Sequence, residues 1–362
     1  MQPAPESLSP ESTPTASSPT FAPTPAPGAA GGEIVARRRG RIGHILLDRP
    51  RALNALSPGM IEAMAAALAD WRDDPAVHAV VVEGAGGRAY CSGGDIRAMR
   101  ELAAAGDAAG IRRYFTAEYG LDRVIAEYPK PYVALVDGIC MGGGLGVAMH
   151  GSARVATEAA LFAMPETGIG FFADVGASYV LPRLRGAFGM YMALTGARVG
   201  GADAVYLGLA THFTTRERLA TLADEMAEDG VAVLADAAVP PPSGVLPGVA
   251  DAVRRCFSAD SVAEILRRLE AEGTSWARET LAQMRAASPN AVLWTFELVR
   301  AGAGRTLARA LEAELALTGP VTSHPDFAEG VRAMVVDKDR TPRWSPARIE
   351  DVDPAAIRAM FA

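Results

Sequence analysis

The chain has 362 residues, 49% of them hydrophobic and 21% charged, with a net charge of −7. That length suits one large domain or two smaller ones, and the acidic balance disfavours nucleic acid or an anionic membrane surface as the main partner. Three widely spaced cysteines (Cys91, Cys140, Cys256) and five scattered histidines match no disulfide framework and no common zinc spacing, so no metal is expected and a reducing, cytoplasmic setting fits.

Residues 1–32 are rich in Pro, Ser, Thr and Ala and read as a disordered tail, because so few apolar groups cannot offset the entropy of ordering the chain. The tail has no Lys or Arg and no apolar stretch, and resembles neither a secretory signal nor a transit peptide. From Glu33 the pattern becomes α/β. Residues 41–48 read as a strand. Ser57 and Pro58 start a helix as N-cap and first helical residue, and Met60, Met64, Ala67, Leu68 and Trp71 follow at helical spacing. Residues 77–83 read as a buried strand, 84–95 as a glycine-rich loop, and 102–128 as helix broken near Gly106 and Gly110. Residues 132–137 form another buried strand that feeds the glycines of 138–146, where Gly142, Gly143 and Gly144 open a helix. The apolar run 133–149 holds Asp137 and five glycines, so it reads as core and not as a membrane span. Strands alternating with helices predict stacked βαβ units. The proline-rich stretch 239–247 predicts a connector between a core of residues 33–240 and a helical region 241–362. Within that region 261–272 and 291–318 read as amphipathic helices, and 326–344 as a compact charged and aromatic segment. Lysine occurs only at 130 and 338, which leaves each open to a specific contact.

Glu166 and Asp174, eight positions apart, are ionisable groups in an otherwise apolar, glycine-punctuated segment. Packing gives no reason for carboxylates there, whereas a site that moves protons or attacks a carbonyl does. The plainer reading is a turn acid and a helix N-cap. Two glycine loops upstream, at Gly93-Gly94 and Gly142–Gly144, each follow a strand and precede a helix. Two backbone N–H groups converging there would form an oxyanion hole; the plainer reading is relief of crowding between helices and strands. Gly84 to Ala89 also fits a dinucleotide fingerprint, but no helix opens at it and no acidic strand end follows cleanly.

Taken together, the segment from Arg49 to Leu56, the CSGGD loop ending at Asp95 and the glycine triplet at 142–144 resemble the enoyl-CoA hydratase/isomerase (crotonase) superfamily over about residues 33–225. The resemblance implies a stacked ββα spiral core. It implies that Gly94 and Gly143 supply the two N–H donors to an acyl-CoA thioester oxygen, and that Ala52, Ala55 and Ser92 line the CoA path. CoA is then part of the substrate, and no separate cofactor is expected. Residues 130–134, 150–158, 161–167, 181–184, 210–213, 326–333 and 337–339 resemble the superfamily's 3-hydroxyisobutyryl-CoA hydrolases and extend the match towards the C-terminus. That branch implies Glu166 and Asp174 as catalytic carboxylates and Glu118 and Gly143 as substrate contacts. Lys338 and Arg340 could meet the CoA phosphates, and a homo-oligomer is left open. One departure is Ala173, where these hydrolases usually have proline. Superfamily hydratases and dienoyl-CoA isomerases carry an acid at the position of Gly146, which ranks both below a hydrolase; a non-catalytic acyl-CoA-binding protein is a further alternative.

Overall fold

The computed structural model describes residues 33–361, so the expected disordered tail lies outside it. The described strands are β1 (Ile34–Arg39), β2 (Ile42–Leu47), β3 (Ala79–Gly84), β4 (Ala89–Cys91), β5 (Tyr132–Val136), β6 (Ile139–Met141), β7 (Ala153–Ala156), β8 (Leu161–Ala163), β9 (Val199–Gly200) and β10 (His212–Phe213). They sort into a six-stranded sheet of order β1-β2-β3-β5-β7-β10, parallel apart from β1, and a four-stranded sheet of order β4-β6-β8-β9, parallel apart from β9.

From β3 to β8 the chain gives one strand to the large sheet, the next to the small sheet, and then a helix. The turns β3–β4 and β5–β6 end in Ile96–Ala104 and Gly143–Met149. The core is thus a spiral of ββα turns, not of βαβ units. The short second strands, three residues each in β4, β6 and β8, carry no readable period and hide inside what look like glycine loops. In β3, Val80 and Val82 face the main core while Ala79 and Val81 face a second cluster built on Leu222 and Met226 of the helix Arg216–Asp229. Both faces are covered, which is why this strand is apolar without alternation.

Ser57 does cap the helix Pro58–Arg72, accepting the Met60 N–H at 3.2 Å, a contact worth about 1 kcal/mol. Lys130 closes the other end of that helix, donating to the carbonyls of Trp71 and Asp74. Two helix boundaries differ from expectation. The break after Ile96–Ala104 falls at residues 105–107, and Gly110 lies inside the helix Ala108–Ala126, its N–H taken by the N-cap Asp107 at 2.8 Å. Residues 291–318 belong to two helices, Pro289–Gly302 and Leu307–Thr322, because Thr306 caps a new start beyond Gly304. In the proline-rich connector, the Asp203 carboxylate accepts the N–H groups of Val245 and Leu246. One apolar cluster runs from Ile45 in β2 to Ile357 near the C-terminus. No described helix is long and apolar enough to cross a membrane.

Candidate active site

The two glycine loops meet at one end of the small sheet. The Gly93-Gly94 segment follows β4 and pairs with Leu56 as an isolated parallel bridge. Leu56 N–H donates to Gly93 and Asp95 N–H donates to Leu56, so the Gly94 N–H enters neither bond and points the other way. Gly143 is the first residue of its helix, where an N–H has no partner within the helix. The glycine before it, Gly142, has φ +51° and ψ −127°, a conformation that only glycine adopts without strain. A methyl group built on Gly143 would lie 2.3 Å from Oε1 of Glu118 and 3.1 Å from the Gly94 nitrogen. One on Gly142 would lie 2.6 Å from Oε1 of Glu166. The structure therefore brings Gly94, Gly143, Glu118 and Glu166 together, at the positive end of a helix.

Asp174 joins this group. Its Oδ2 accepts the Tyr119 hydroxyl at 2.7 Å, one residue along the helix from Glu118. Glu118, Glu166 and Asp174 are all buried, and Oε1 of Glu118 and Oε2 of Glu166 have no hydrogen-bond partner among the described residues. Burial, then the charge of Asp174, raises Glu118 well above the usual carboxylate range. Glu166 is raised by burial, then by Asp174, with Glu118 adding in the same direction. Asp174 is raised by burial to about 7, its bond from Tyr119 pulling the other way. Asp174 thus exchanges protons near neutral pH, as a general base or acid requires. Phe171 stacks on Phe172 at 4.3 Å and on Phe115 at 5.4 Å, an apolar wall joining the Glu118 helix to the segment that carries both other acids.

The remaining expected residues fall at the edge. Ala52 and Ala55 are half-buried in a loop tied down by Asn54, which donates to the carbonyls of Ala85 and Ala89. Arg49 binds this loop to the Gly94 segment through Ala55 O and the Asp95 carboxylate, and Ser92 donates to Ala52 O. Lys338 and Arg340 lie on the C-terminal segment with positive φ. Arg332 pairs with both neighbouring aspartates, Asp337 and Asp339, and neither Lys338 nor Arg340 forms an ion pair among the described residues. Glu329 is structural, paired with Arg332. No group of three or more His, Cys, Asp or Glu among the described residues is arranged to hold a metal ion.

Several contributors were not legible in the sequence. Asp122, one helical turn beyond Glu118, is fully buried, and neither of its oxygens has a hydrogen-bond partner among the described residues. It fills the space beside Gly146, where a methyl group would lie 2.9 Å from Oδ1 of Asp122. An acid spaced four residues from Glu118 on an otherwise apolar face was the available signal. Glu314, His150 and Thr295 hold the Asp174 turn from far along the chain, with no local signal at all. Thr295 accepts the N–H of Ala173 at 3.3 Å, a bond that proline at this position could not make.

With fold and site in view, the class is settled by comparison: the chain belongs to the enoyl-CoA hydratase/isomerase family, whose match covers residues 42–361. It is 42% identical to the mitochondrial 3-hydroxyisobutyryl-CoA hydrolase of Rattus norvegicus, over 91% of this chain and 88% of the rat protein. The corresponding protein of Homo sapiens is 40% identical over 88% of this chain and 86% of its own length. Among solved structures, a carnitinyl-CoA dehydratase from Mycobacterium thermoresistibile superposes with a TM-score of 0.88 at 39% identity, covering 91% of this chain and 96% of that one. An enoyl-CoA hydratase from Rhodobacter sphaeroides 2.4.1 gives 0.86 at 38% identity, covering 91% and 97%. The mitochondrial names of the rat and human relatives lend the expected cytoplasmic setting no support.

Proposed function

We propose that the chain is a thioester hydrolase acting on a short branched 3-hydroxyacyl-CoA, converting 3-hydroxyisobutyryl-CoA and water to 3-hydroxyisobutyrate and CoA, a step of valine breakdown. The observation that carries this is the meeting of two free backbone N–H groups with Glu166 and Asp174 in one buried site. The names of the 40–42% identical relatives support the choice of substrate.

In this reading the thioester oxygen lies between the N–H groups of Gly94 and Gly143, which stabilise the charge that builds on it; one such donor typically contributes about 3 kcal/mol to the transition state. Glu166 takes a proton from the attacking water, or itself attacks the carbonyl carbon. The C–S bond then breaks and the departing thiolate takes up a proton from the carboxyl cluster. Where Glu166 is the nucleophile, water next cleaves the Glu166–acyl anhydride and frees its carboxylate. CoA thus leaves as the thiol and the acyl group as the carboxylate, with one proton passing to solvent. Asp174, with its value near 7, orients the hydroxyacyl group and shuttles that proton. Glu118, with one oxygen unpartnered, holds the substrate hydroxyl or the reactive water. In this reading Lys338 and Arg340, which form no ion pair among the described residues, meet the CoA phosphates. CoA enters as part of the substrate, and the reading asks for no separate cofactor.

A second reading, addition or removal of water at a carbon–carbon double bond, is favoured by the names of the two solved structures near 39% identity. Against it stands Gly146, whose neighbouring space Asp122 and Val175 already fill. Incubation with 3-hydroxyisobutyryl-, 3-hydroxypropionyl-, crotonyl- and dienoyl-CoA separates the two. Free thiol should appear with the first, whereas loss of crotonyl-CoA absorbance without thiol release would replace hydrolysis by hydration.

A further inference from the structure

Asp174 sits at the head of a turn that is unfavourable on its own. Val175 has φ +54° and Gly176 φ +82°, and a β-branched residue in the left-handed region costs about 1–3 kcal/mol. Such a turn persists only where its surroundings hold it. Two side chains do so. His150 donates through Nε2 to the Val175 carbonyl at 2.7 Å, with burial pushing its imidazole down to about 4 and so keeping it neutral. Glu314, fully buried on the helix Leu307–Thr322, reaches across 138 positions of sequence to accept the Gly176 N–H at 2.7 Å on Oε2. Its Oε1 accepts the Ser178 N–H at 3.1 Å and the Ser178 hydroxyl. Both oxygens face a backbone N–H, so both atoms must be acceptors. A carboxyl group meets that demand, whereas an amide would set an NH₂ against one of the two N–H groups.

We infer that Glu314 is a positioning residue of the active site, fixing the strained turn at residues 175–178 so that the Asp174 carboxyl stays aimed at Tyr119 and the reacting acyl group. The role in turnover rests on the hydrolase reading above. The bracing itself is independent of it.

The test is Glu314→Gln in the full chain, read in two ways. Hydrogen exchange without substrate should show the Gly176 and Ser178 amides exchanging about tenfold faster or more, with the helix Leu307–Thr322 still protected. Thiol release from 3-hydroxyisobutyryl-CoA should show kcat down about 100-fold with KM little changed, the cost of a displaced group at the reacting centre, and an altered pH–rate limb. Ser178→Ala removes one of the three bonds and keeps the carboxyl; it should show the same changes in smaller degree, and stands in if the first variant does not fold. Unchanged exchange in the variants overturns the brace. Faster exchange with unaltered kcat and pH profile overturns the positioning role. A wild type that turns over none of the CoA esters overturns the hydrolase reading, while the exchange result still decides the brace.

Discussion

The amide donors and the carboxylates of this site are held by different parts of the molecule. Gly94 and Gly143 belong to the spiral core, fixed by strand ends, a helix start and the loop tied down by Asn54. Their geometry is backbone geometry and stays within the stretch from Asn54 to Gly143. Glu166 and Asp174 also lie in the core sequence, but beyond Tyr119 and His150 their supports come from the C-terminal helices. Ser288 N–H donates to Thr167 O at 2.9 Å beside Glu166, and Gly170 and Gly330 allow the helix Pro325–Val331 to lie directly on the 3-10 turn Glu166–Ile169. Asp326 knits that support together, accepting from Ser288, Asn290 and Ser345. Glu314 and Thr295 do the same for the Asp174 turn. A generic thioester grip is thus local, and the chemistry applied to it depends on distant packing.

Variants of the two regions can break this division. The largest effect is expected at Glu166. Glu166→Gln should lower turnover by about 10²–10⁴-fold while CoA-ester binding, read by calorimetry, persists. Next is the grip: Gly143→Ala forces a methyl group against Glu118 and should cost about 10²–10³-fold in kcat. A C-terminal variant such as Asp326→Ala leaves the hydrogen-bond donors of Ser288 and Asn290 without their acceptor. It should lower stability by about 1–3 kcal/mol in denaturant unfolding and reduce kcat with it. If Asp326→Ala unfolds more easily yet turns over at the wild-type rate per folded molecule, the C-terminal helices support the fold and not the chemistry.

A smaller, pH-dependent effect sharpens the same comparison. Burial raises Asp174 to about 7. Its protonated form therefore favours the folded state relative to an unfolded chain, where carboxylates titrate near about 4. That contribution is complete below the unfolded value and is lost as pH rises through about 7. Thermal unfolding should accordingly shift to lower temperature between about pH 4 and 7, and Asp174→Asn should flatten part of the change. Tyr119→Phe removes a bond that lowers Asp174, so the acid limb of its pH–rate profile should move upward. The least effect is expected from Lys338→Ala, a weaker KM with kcat retained.

How much of this could be read in advance follows the same division. Helix starts such as Ser57-Pro58 and the Gly142 turn were legible because capping and left-handed turns restrict residue choice locally. The three-residue strands of the small sheet were not, since they are too short for a period to emerge. Glu166 and Asp174 stood out as charges in apolar surroundings. Asp122 left a fainter trace, an acid one helical turn from Glu118. Glu314 left none, because a single acid on a long helix is ordinary until the fold sets it against Gly176 and Ser178.

The most direct test of the central claim is thiol release from 3-hydroxyisobutyryl-CoA by wild type and Glu166→Gln, both shown to be folded. Rapid release by the wild type and near-complete loss in the variant is the predicted result. Equal release by the two proteins would contradict the placement of the chemistry at this carboxyl cluster.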